Sequence, residues 1–214
     1  MDKMINEKNY KEIIVDGILV IDDNIEVSLE NINDITIKAG NSNRITVGNN
    51  CKINCESYNK ITVGNSNIIT MEENNKLKGY FHNKVKAGEK CKVKLKDGNT
   101  VEVGKGSKVK IEIFNEIKAG ENCKITSGHE NEIKVKSNSK ILAKDYCDIT
   151  LEGENILLEI KGKFGETTIN NIAEDSIIIL RDTENKYKVY NTNDLKQNIS
   201  IEANDNHKLK LSQK

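Results

Sequence analysis

The sequence predicts an all-β protein, a single-stack parallel β-solenoid of the β-helix or β-roll type. Small polar side chains and aliphatic side chains each recur at a fixed spacing of eight residues. Only 36% of the 214 residues are hydrophobic, and Pro and Trp are absent. A short fixed period indicates a stack of similar units rather than one thick core, and such a stack buries only a thin row of side chains in each unit. We expect 16-residue coils, each made of two eight-residue strand-turn units, with a cap at both ends.

The eight-residue repeat is visible at two positions of the unit. The first position is always Asn, Cys or Ser, in the series Asn43, Cys51, Asn59, Asn67, Asn75, Asn83, Cys91, Asn99, Ser107, Asn115, Cys123, Asn131, Ser139, Cys147 and Asn155. The position two residues later is always aliphatic, in the series Ile45, Ile53, Ile61, Ile69, Leu77, Val85, Val93, Val101, Val109, Ile117, Ile125, Ile133, Ile141, Ile149 and Leu157. This alternation, often followed by Gly, predicts a short strand with one buried face and then a turn.

Residues 16 apart are expected to stack in register on the same sheet. On the second sheet the first position is then Asn in five consecutive coils, at Asn67, Asn83, Asn99, Asn115 and Asn131. We expect an amide ladder in which each side chain bonds its copy one coil away and satisfies backbone groups of the turns. The cysteines of these rows are expected to be reduced, partly buried fillers that replace Asn, because no Cys-x-x-Cys pair indicates a metal site. No cofactor is expected.

The repeat divides the chain into four segments. Residues 43–160 are predicted to form the solenoid, 1–42 an N-terminal β cap, 161–192 a C-terminal β cap, and 193–214 a polar tail or terminal hairpin. Short apolar runs predict strands in the caps, at 13–15, 18–21, 35–37, 177–180 and 187–190, and the terminal hairpin would use 199–201 and 209–211. Caps are expected because an open end of a solenoid exposes strand edges that aggregate.

Charge is balanced overall, with 33 basic and 33 acidic residues, but it is not evenly distributed. One outward row of the first sheet is entirely basic, at Arg44, Lys60, Lys76, Lys92, Lys108, Lys124 and Lys140, and a neighbouring row adds Lys78, Lys94 and Lys110. Cations about 5 Å apart in water repel each other by about 1 kcal/mol, and an anionic partner would relieve this repulsion. The alternative is a solubilising surface that Asp97, Glu112 and Asp145 partly neutralise.

Aromatic and histidine side chains are predicted at the turn that leaves the basic sheet, where small polar residues are normally found. They are Tyr80, Phe81, His82, Phe114, His129 and Tyr146. Exposed aromatic rings beside a lysine row are typical of surfaces that stack bases and contact phosphates. Exposed aromatic patches also mark protein contacts and self-association surfaces, and both interpretations stay open here.

The sequence offers little that indicates catalysis. The three histidines, at 82, 129 and 207, lie in no known catalytic or metal motif. Glu116, Glu132 and Asp148 would stack on the second sheet, and paired acids can cleave glycosidic bonds. We expect instead that Lys118 and Lys134, two residues away on the same face, form surface ion pairs with these acids.

The units 43–48 (NRITVG) and 59–64 (NKITVG) resemble the Asn-x-Val/Ile-x-Ile/Val-Gly coils in head domains of trimeric autotransporter adhesins. The resemblance implies a β-roll that can trimerise. Short-repeat solenoids also occur in bacteriophage and mobile-element proteins, where they serve as spikes, fibres or inhibitors. Adhesion is not carried over, because the N-terminus lacks the apolar run of a signal peptide and the coil is longer.

These observations favour a non-enzymatic binding protein of the bacterial or phage-infected cytoplasm with no membrane association. Its basic sheet and aromatic edge would engage an anionic macromolecule, either a nucleic acid or a nucleoprotein complex. Inhibition of another protein's nucleic-acid channel would fit the same surface. The alternative is a structural or assembly protein, such as a phage fibre, a spike or an adhesin-like oligomer. A carbohydrate-binding solenoid that uses Glu116, Glu132 and Asp148 is a third interpretation.

Overall fold

The computed structural model describes residues 4–162, 167–170, 174–195, 199–203 and 209–213. The chain is an all-β parallel β-solenoid of about ten coils with a 16-residue spacing and almost no helix, so the predicted fold class is confirmed. Contacts divide it into two compact units, Met1–Gly104 and Lys105–Lys214.

The first unit contains two sheets and a 3₁₀ turn at Tyr10–Ile13. Its strands are β1 (Met4–Asn6), β2 (Ile14–Val15), β3 (Ile18–Ile21), β4 (Glu26–Leu29), β5 (Thr36–Ala39), β6 (Arg44–Val47), β7 (Lys52–Cys55), β8 (Lys60–Val63), β9 (Ile68–Met71), β10 (Lys76–Lys78), β11 (Lys84–Ala87), β12 (Lys92–Lys94) and β13 (Thr100–Val103). Sheet 1 has the order β1-β4-β6-β8-β10-β12, and sheet 2 has the order β2-β3-β5-β7-β9-β11-β13. Neighbouring strands are parallel except β2 and β3, which form an antiparallel pair.

The second unit also contains two sheets and a 3₁₀ turn at Thr192–Asp194. Its strands are β14 (Lys108–Lys110), β15 (Glu116–Ala119), β16 (Lys124–Thr126), β17 (Glu132–Lys136), β18 (Lys140–Ala143), β19 (Asp148–Glu152), β20 (Leu157–Lys161), β21 (Thr167–Asn170), β22 (Ile177–Arg181), β23 (Tyr187–Asn191), β24 (Ile199–Ala203) and β25 (Leu209–Gln213). Sheet 3 has the order β14-β16-β18-β20-β22-β23, and sheet 4 has the order β15-β17-β19-β21-β24-β25. The pairs β22–β23, β21–β24 and β24–β25 are antiparallel.

Parallel pairing extends beyond the regular repeat at both ends of the chain. Glu26 pairs with Arg44, a spacing of 18 residues, and Leu157 pairs with Ile177, a spacing of 20. The strands predicted at both ends of the sequence are present, and the run at 13–15 is shared between the first 3₁₀ turn and β2. Longer turns therefore interrupt the sequence period while the strands still stack.

Alternate strand residues are buried, and they form inward rows along the stack. In sheet 1, Ile61 is fully buried between Ile45 and Leu77, its register partners on β6 and β10. The residues between them point outward, so β8 has the pattern exposed, buried, intermediate, buried. Each strand buries only one or two side chains in most coils, which explains why so few apolar residues are sufficient.

The predicted asparagine ladder is confirmed in both units. Asn59 Oδ1 accepts a hydrogen bond from the Asn43 backbone N–H at 2.8 Å, and Asn59 Nδ2 donates to the carbonyls of Ser57 at 3.1 Å and Gly40 at 3.0 Å. Each buried amide therefore joins its own turn to the previous coil. The side chains also bond each other, for example Asn115 Nδ2 to Asn131 Oδ1 at 3.0 Å.

All five cysteines are free and buried. Reduced thiols were predicted for all five, and partial burial was predicted for the four in the ladder rows but not for Cys55. Those in the ladder rows contact the same kind of turn carbonyl as asparagine. Cys51 Sγ lies 3.2 Å from the Asn49 carbonyl oxygen, and Cys91 Sγ lies 3.0 Å from that of Glu72. Cysteine thus keeps a weak donor at the position where asparagine places its amide.

Burial predicts that these thiols are nearly unreactive in the folded protein. It raises the pKa of Cys55 from 9.0 to about 12 and raises the pKa of the other four thiols as well. Only the thiolate reacts, so its fraction for Cys55 at pH 8 is about one in ten thousand. With Ellman's reagent we expect slow native labelling that accelerates with rising pH, and rapid labelling of all five in 6 M guanidinium. Native labelling at the rate of a free thiol would contradict this burial.

Candidate functional site

Sheet 1 of the first unit carries two outward columns of basic side chains. Register places Lys60, Lys76 and Lys92 side by side on β8, β10 and β12, and Lys78 beside Lys94. All five side chains are exposed. Since parallel strands stack about 4.8 Å apart, the columns concentrate positive charge on one flat face.

Among the described residues, these five lysines form no ion pair. Arg44, at the end of the same column, forms an ion pair with Glu26 at 3.8 Å. Within the part of the chain that the structure describes, none of the five lysines has an acidic group within 4.0 Å. We call these five residues, Lys60, Lys76, Lys78, Lys92 and Lys94, the lysine face.

A groove of about 320 Å³ lies along one edge of the lysine face. Its lining residues are Tyr58, Asn59, Lys60, Asn74, Asn75, Lys76, Lys90 and Lys92. No acidic side chain lines the groove, and its one ring, Tyr58, is 64% exposed. The groove therefore combines an aromatic surface with four cations.

Tyr58 was not predicted as a site residue, because aromatic residues were predicted only at the turn that leaves the basic sheet. Tyr58 lies on the other turn, between β7 and β8. The sequence did contain a feature that could have identified Tyr58. It directly precedes the ladder residue Asn59, just as the predicted Tyr146 directly precedes Cys147.

From Asn43 to Cys147, the residue before each ladder position has a left-handed backbone. At Asn155 the pattern is shifted by one residue, because Asn155 itself has a φ of 56° and is exposed, so it is not part of the ladder that the sequence predicted. Tyr58, Phe114 and Tyr146 have φ angles of 63°, 55° and 58°. Bulky side chains are rare in this region, which costs about 1 to 2 kcal/mol for residues other than Gly and Asn. All three rings are more than half exposed, so burial does not offset this cost. Side chains that break a local rule without a packing gain indicate a functional position.

The opposite turn of the first unit carries the predicted cluster of Tyr80, Phe81 and His82. The rings of Tyr80 and Phe81 are 6.3 Å apart and tilted by 38°, and Lys96 Nζ lies 5.9 Å from the centre of the Tyr80 ring. Both tyrosine and phenylalanine are exposed. The structure therefore places aromatic groups at both edges of sheet 1.

The second unit repeats this arrangement on sheet 3. Lys108, Lys124 and Lys140 form an exposed column on β14, β16 and β18, with Lys110 beside Thr126. Phe114 and Tyr146 are exposed on the turns that leave this sheet. The predicted basic and aromatic residues of this unit are thus neighbours on the same sheet and its turns.

The structure places His129 and Asp145 in contact with each other, which the sequence pattern did not predict. The Asp145 carboxylate is buried and contacts His129 Nδ1 rather than a lysine of the basic column. His129 therefore has an acidic partner in its own turn region, and Asp145 does not neutralise the lysines.

The outward face of sheet 3 becomes apolar beyond Lys140. Its register partner is Leu157, which pairs in turn with Ile177. Ile177, Tyr187 and Val189 are exposed on β22 and β23. This end of the second unit therefore presents a hydrophobic surface rather than a basic one.

The eight-residue pattern predicted Leu157 in the inward row, which is wrong. Leu158 is the buried partner of Ile141, because the turn before β20 is one residue longer.

The acidic row predicted on the second sheet is present on sheet 4, and its members are paired. Lys118 Nζ lies 2.9 Å from Glu116, and Lys134 Nζ lies 3.3 Å from Glu132. The predicted ion pairs are confirmed. Asp148 accepts a hydrogen bond from Asn170 Nδ2 at 2.6 Å, so all three acids have close partners.

A groove of about 930 Å³ in the first unit has the opposite charge. It follows the turn after sheet 2 and is lined by the acids Asp22, Asp23, Glu56 and Glu72, among other residues. Positive and negative groups are thus separated within one unit, which is how a chain of zero net charge maintains a basic face.

Among the residues that the structure describes, no three His, Cys, Asp or Glu side chains converge as metal ligands. His207 lies outside the described residues. No helix in the described ranges has the length and hydropathy needed to cross a membrane.

Comparison with known proteins identifies no relative: no family model, no curated protein and no solved structure matches this chain.

Proposed function

We propose that the protein is a non-enzymatic binding protein that binds nucleic acid through its lysine face. The observation that carries this proposal is the absence of any acidic group within 4.0 Å of Lys60, Lys76, Lys78, Lys92 or Lys94, among the described residues. Phosphates would neutralise these stacked charges, and release of their condensed counterions would drive binding.

The side chains of this surface favour contacts to phosphates rather than to base edges. Specific recognition of guanine in a groove typically uses a free arginine guanidinium. The two arginines of this protein, Arg44 and Arg181, are both in ion pairs, with Glu26 and Glu159. Lysine contacts the phosphate as a point charge, so we expect binding that depends little on sequence.

Fluorescence anisotropy with a labelled oligonucleotide tests this proposal. Four phosphate contacts predict that affinity falls about 50- to 150-fold between 50 and 200 mM salt. The double variant Lys76→Glu/Lys92→Glu should bind at least about tenfold more weakly at 50 mM salt and show a shallower salt dependence.

The matched control is Lys84→Glu/Lys86→Glu on β11. These two exposed lysines lie on sheet 2, so the variant has the same net charge without altering the lysine face. Near-parental binding by this control is expected. Equal weakening by both variants would show that net charge alone matters, and no binding by the parent at 50 mM salt would refute the proposal.

Assembly into an oligomer is a second candidate function, favoured by the exposed Ile177, Tyr187 and Val189 of the second unit. Exposed apolar patches of this kind mark interaction surfaces. Light scattering on the same samples separates the two candidates. A stable oligomer that binds no oligonucleotide would favour assembly, and a monomer that binds would exclude it.

A further inference from the structure

The groove beside the lysine face has features that identify the kind of nucleic acid, if the proposed function holds. Tyr58 presents its ring at the edge of sheet 1, and Lys60, Lys76, Lys90 and Lys92 line the same groove. A ring surrounded by cations suits a nucleotide, whose base has an apolar face and whose phosphate is an anion.

The backbone that carries Tyr58 is fixed on both sides. The Tyr58 N–H donates to the Glu73 carbonyl of the next coil at 3.3 Å, and the preceding Ser57 N–H donates to Asn41 Oδ1 at 3.0 Å. The following residue, Asn59, is a buried member of the ladder. The ring therefore projects from a rigid turn, and little conformational entropy of the backbone would be lost on binding.

The choice of tyrosine at this position is not explained by packing. The equivalent residues one coil before and one coil after are Ser42 and Asn74, both with φ of 59°. Asparagine adopts this left-handed backbone readily, whereas tyrosine at φ of 63° is strained and its ring remains 64% exposed. An exposed ring held at a strained position is expected where the ring contacts a ligand.

We infer that the ligand is single-stranded nucleic acid, with an unpaired base stacked on Tyr58 and the adjacent phosphates bound by Lys60, Lys76, Lys90 and Lys92. In a duplex both faces of each internal base are covered by neighbouring bases, so only a single strand offers a free face to the ring. Base stacking on an aromatic side chain tolerates every base, which agrees with the lack of a free arginine. This inference rests on the proposed function.

The test compares Tyr58→Asn and Tyr58→Phe with the parent protein, using a labelled 20-nucleotide poly-dT strand and a labelled 20-base-pair duplex. Asparagine is the residue that the next coil uses at this position, so the fold is expected to be kept, and a thermal melt checks this. We expect Tyr58→Asn to bind the single strand about tenfold more weakly with an unchanged salt slope. Tyr58→Phe should bind like the parent, because it keeps the ring.

The outcomes separate the inference from the proposed function. If the duplex binds as tightly as the single strand and Tyr58→Asn has no effect, while Lys76→Glu/Lys92→Glu still weakens binding, the single-strand inference is wrong and the proposed function stands. If neither oligonucleotide binds the parent, both are wrong. Loss of binding in Tyr58→Phe as well would show that the hydroxyl, rather than stacking, is required.

Discussion

Replacing Asn83 by alanine is expected to lower the free energy of unfolding by about 3 kcal/mol. Asn83 is 0% exposed, and its Oδ1 accepts hydrogen bonds from the Asn67 backbone N–H at 2.9 Å and from Asn67 Nδ2 at 3.0 Å. Its Nδ2 donates to the Gly64 carbonyl and to Asn99 Oδ1, both at 3.2 Å. Alanine would remove these bonds and leave a buried N–H without a partner.

Urea unfolding followed by circular dichroism measures this effect, and Asn83→Cys is the matched control. Cys51 occupies the same row two coils earlier, so the structure already accommodates a thiol at such a position. The cysteine variant keeps a weak donor and should lose about half as much stability as the alanine variant. If both variants had the same midpoint of urea unfolding as the parent protein, the ladder would not stabilise the protein.

The ladder was predictable because it depends only on sequence spacing. Once coils of 16 residues are assumed, Asn67, Asn83 and Asn99 must stack, and an amide one coil away is the natural partner. The register of the terminal coils was harder to predict from the sequence, because their turns are longer. Glu26 stacks on Arg44 at a spacing of 18 residues, so strands that pair in space are out of phase in the sequence.

The candidate site was partly predictable for the same reason. The spacing placed Lys60, Lys76 and Lys92 in one column, and the register confirms that column. The groove at its edge was not predictable, because it depends on how side chains from three turns are oriented. The pairing of His129 with Asp145 also depends on turn geometry, which an eight-residue pattern does not specify.

Replacing Ile61 by alanine is expected to cost about 3 to 4 kcal/mol, with urea unfolding again as the measurement. Ile61 is 0% exposed and packs between Ile45 and Leu77 on the neighbouring strands. Ile45 and Leu77 are held in register by their own strands, so we expect the space to stay largely unfilled. Ile61→Val, which removes a single methylene, should cost only about 1 kcal/mol. Equal losses for the two variants would show that cavity volume does not determine the cost.

How far the loss of stability in Ile61→Ala spreads along the stack tests how the solenoid is stabilised. In a stack where each coil contacts only its neighbours, stability is approximately a sum of local interface terms. Ile61→Ala should therefore reduce hydrogen-exchange protection most at the amides of β6, β8 and β10, because these strands line the cavity. Protection of β3 and β5, which belong to sheet 2 and lie earlier in the stack, should fall less. A uniform loss across the first unit would mean instead that its coils open together, so that the lysine face and its groove exist only when the whole unit is folded.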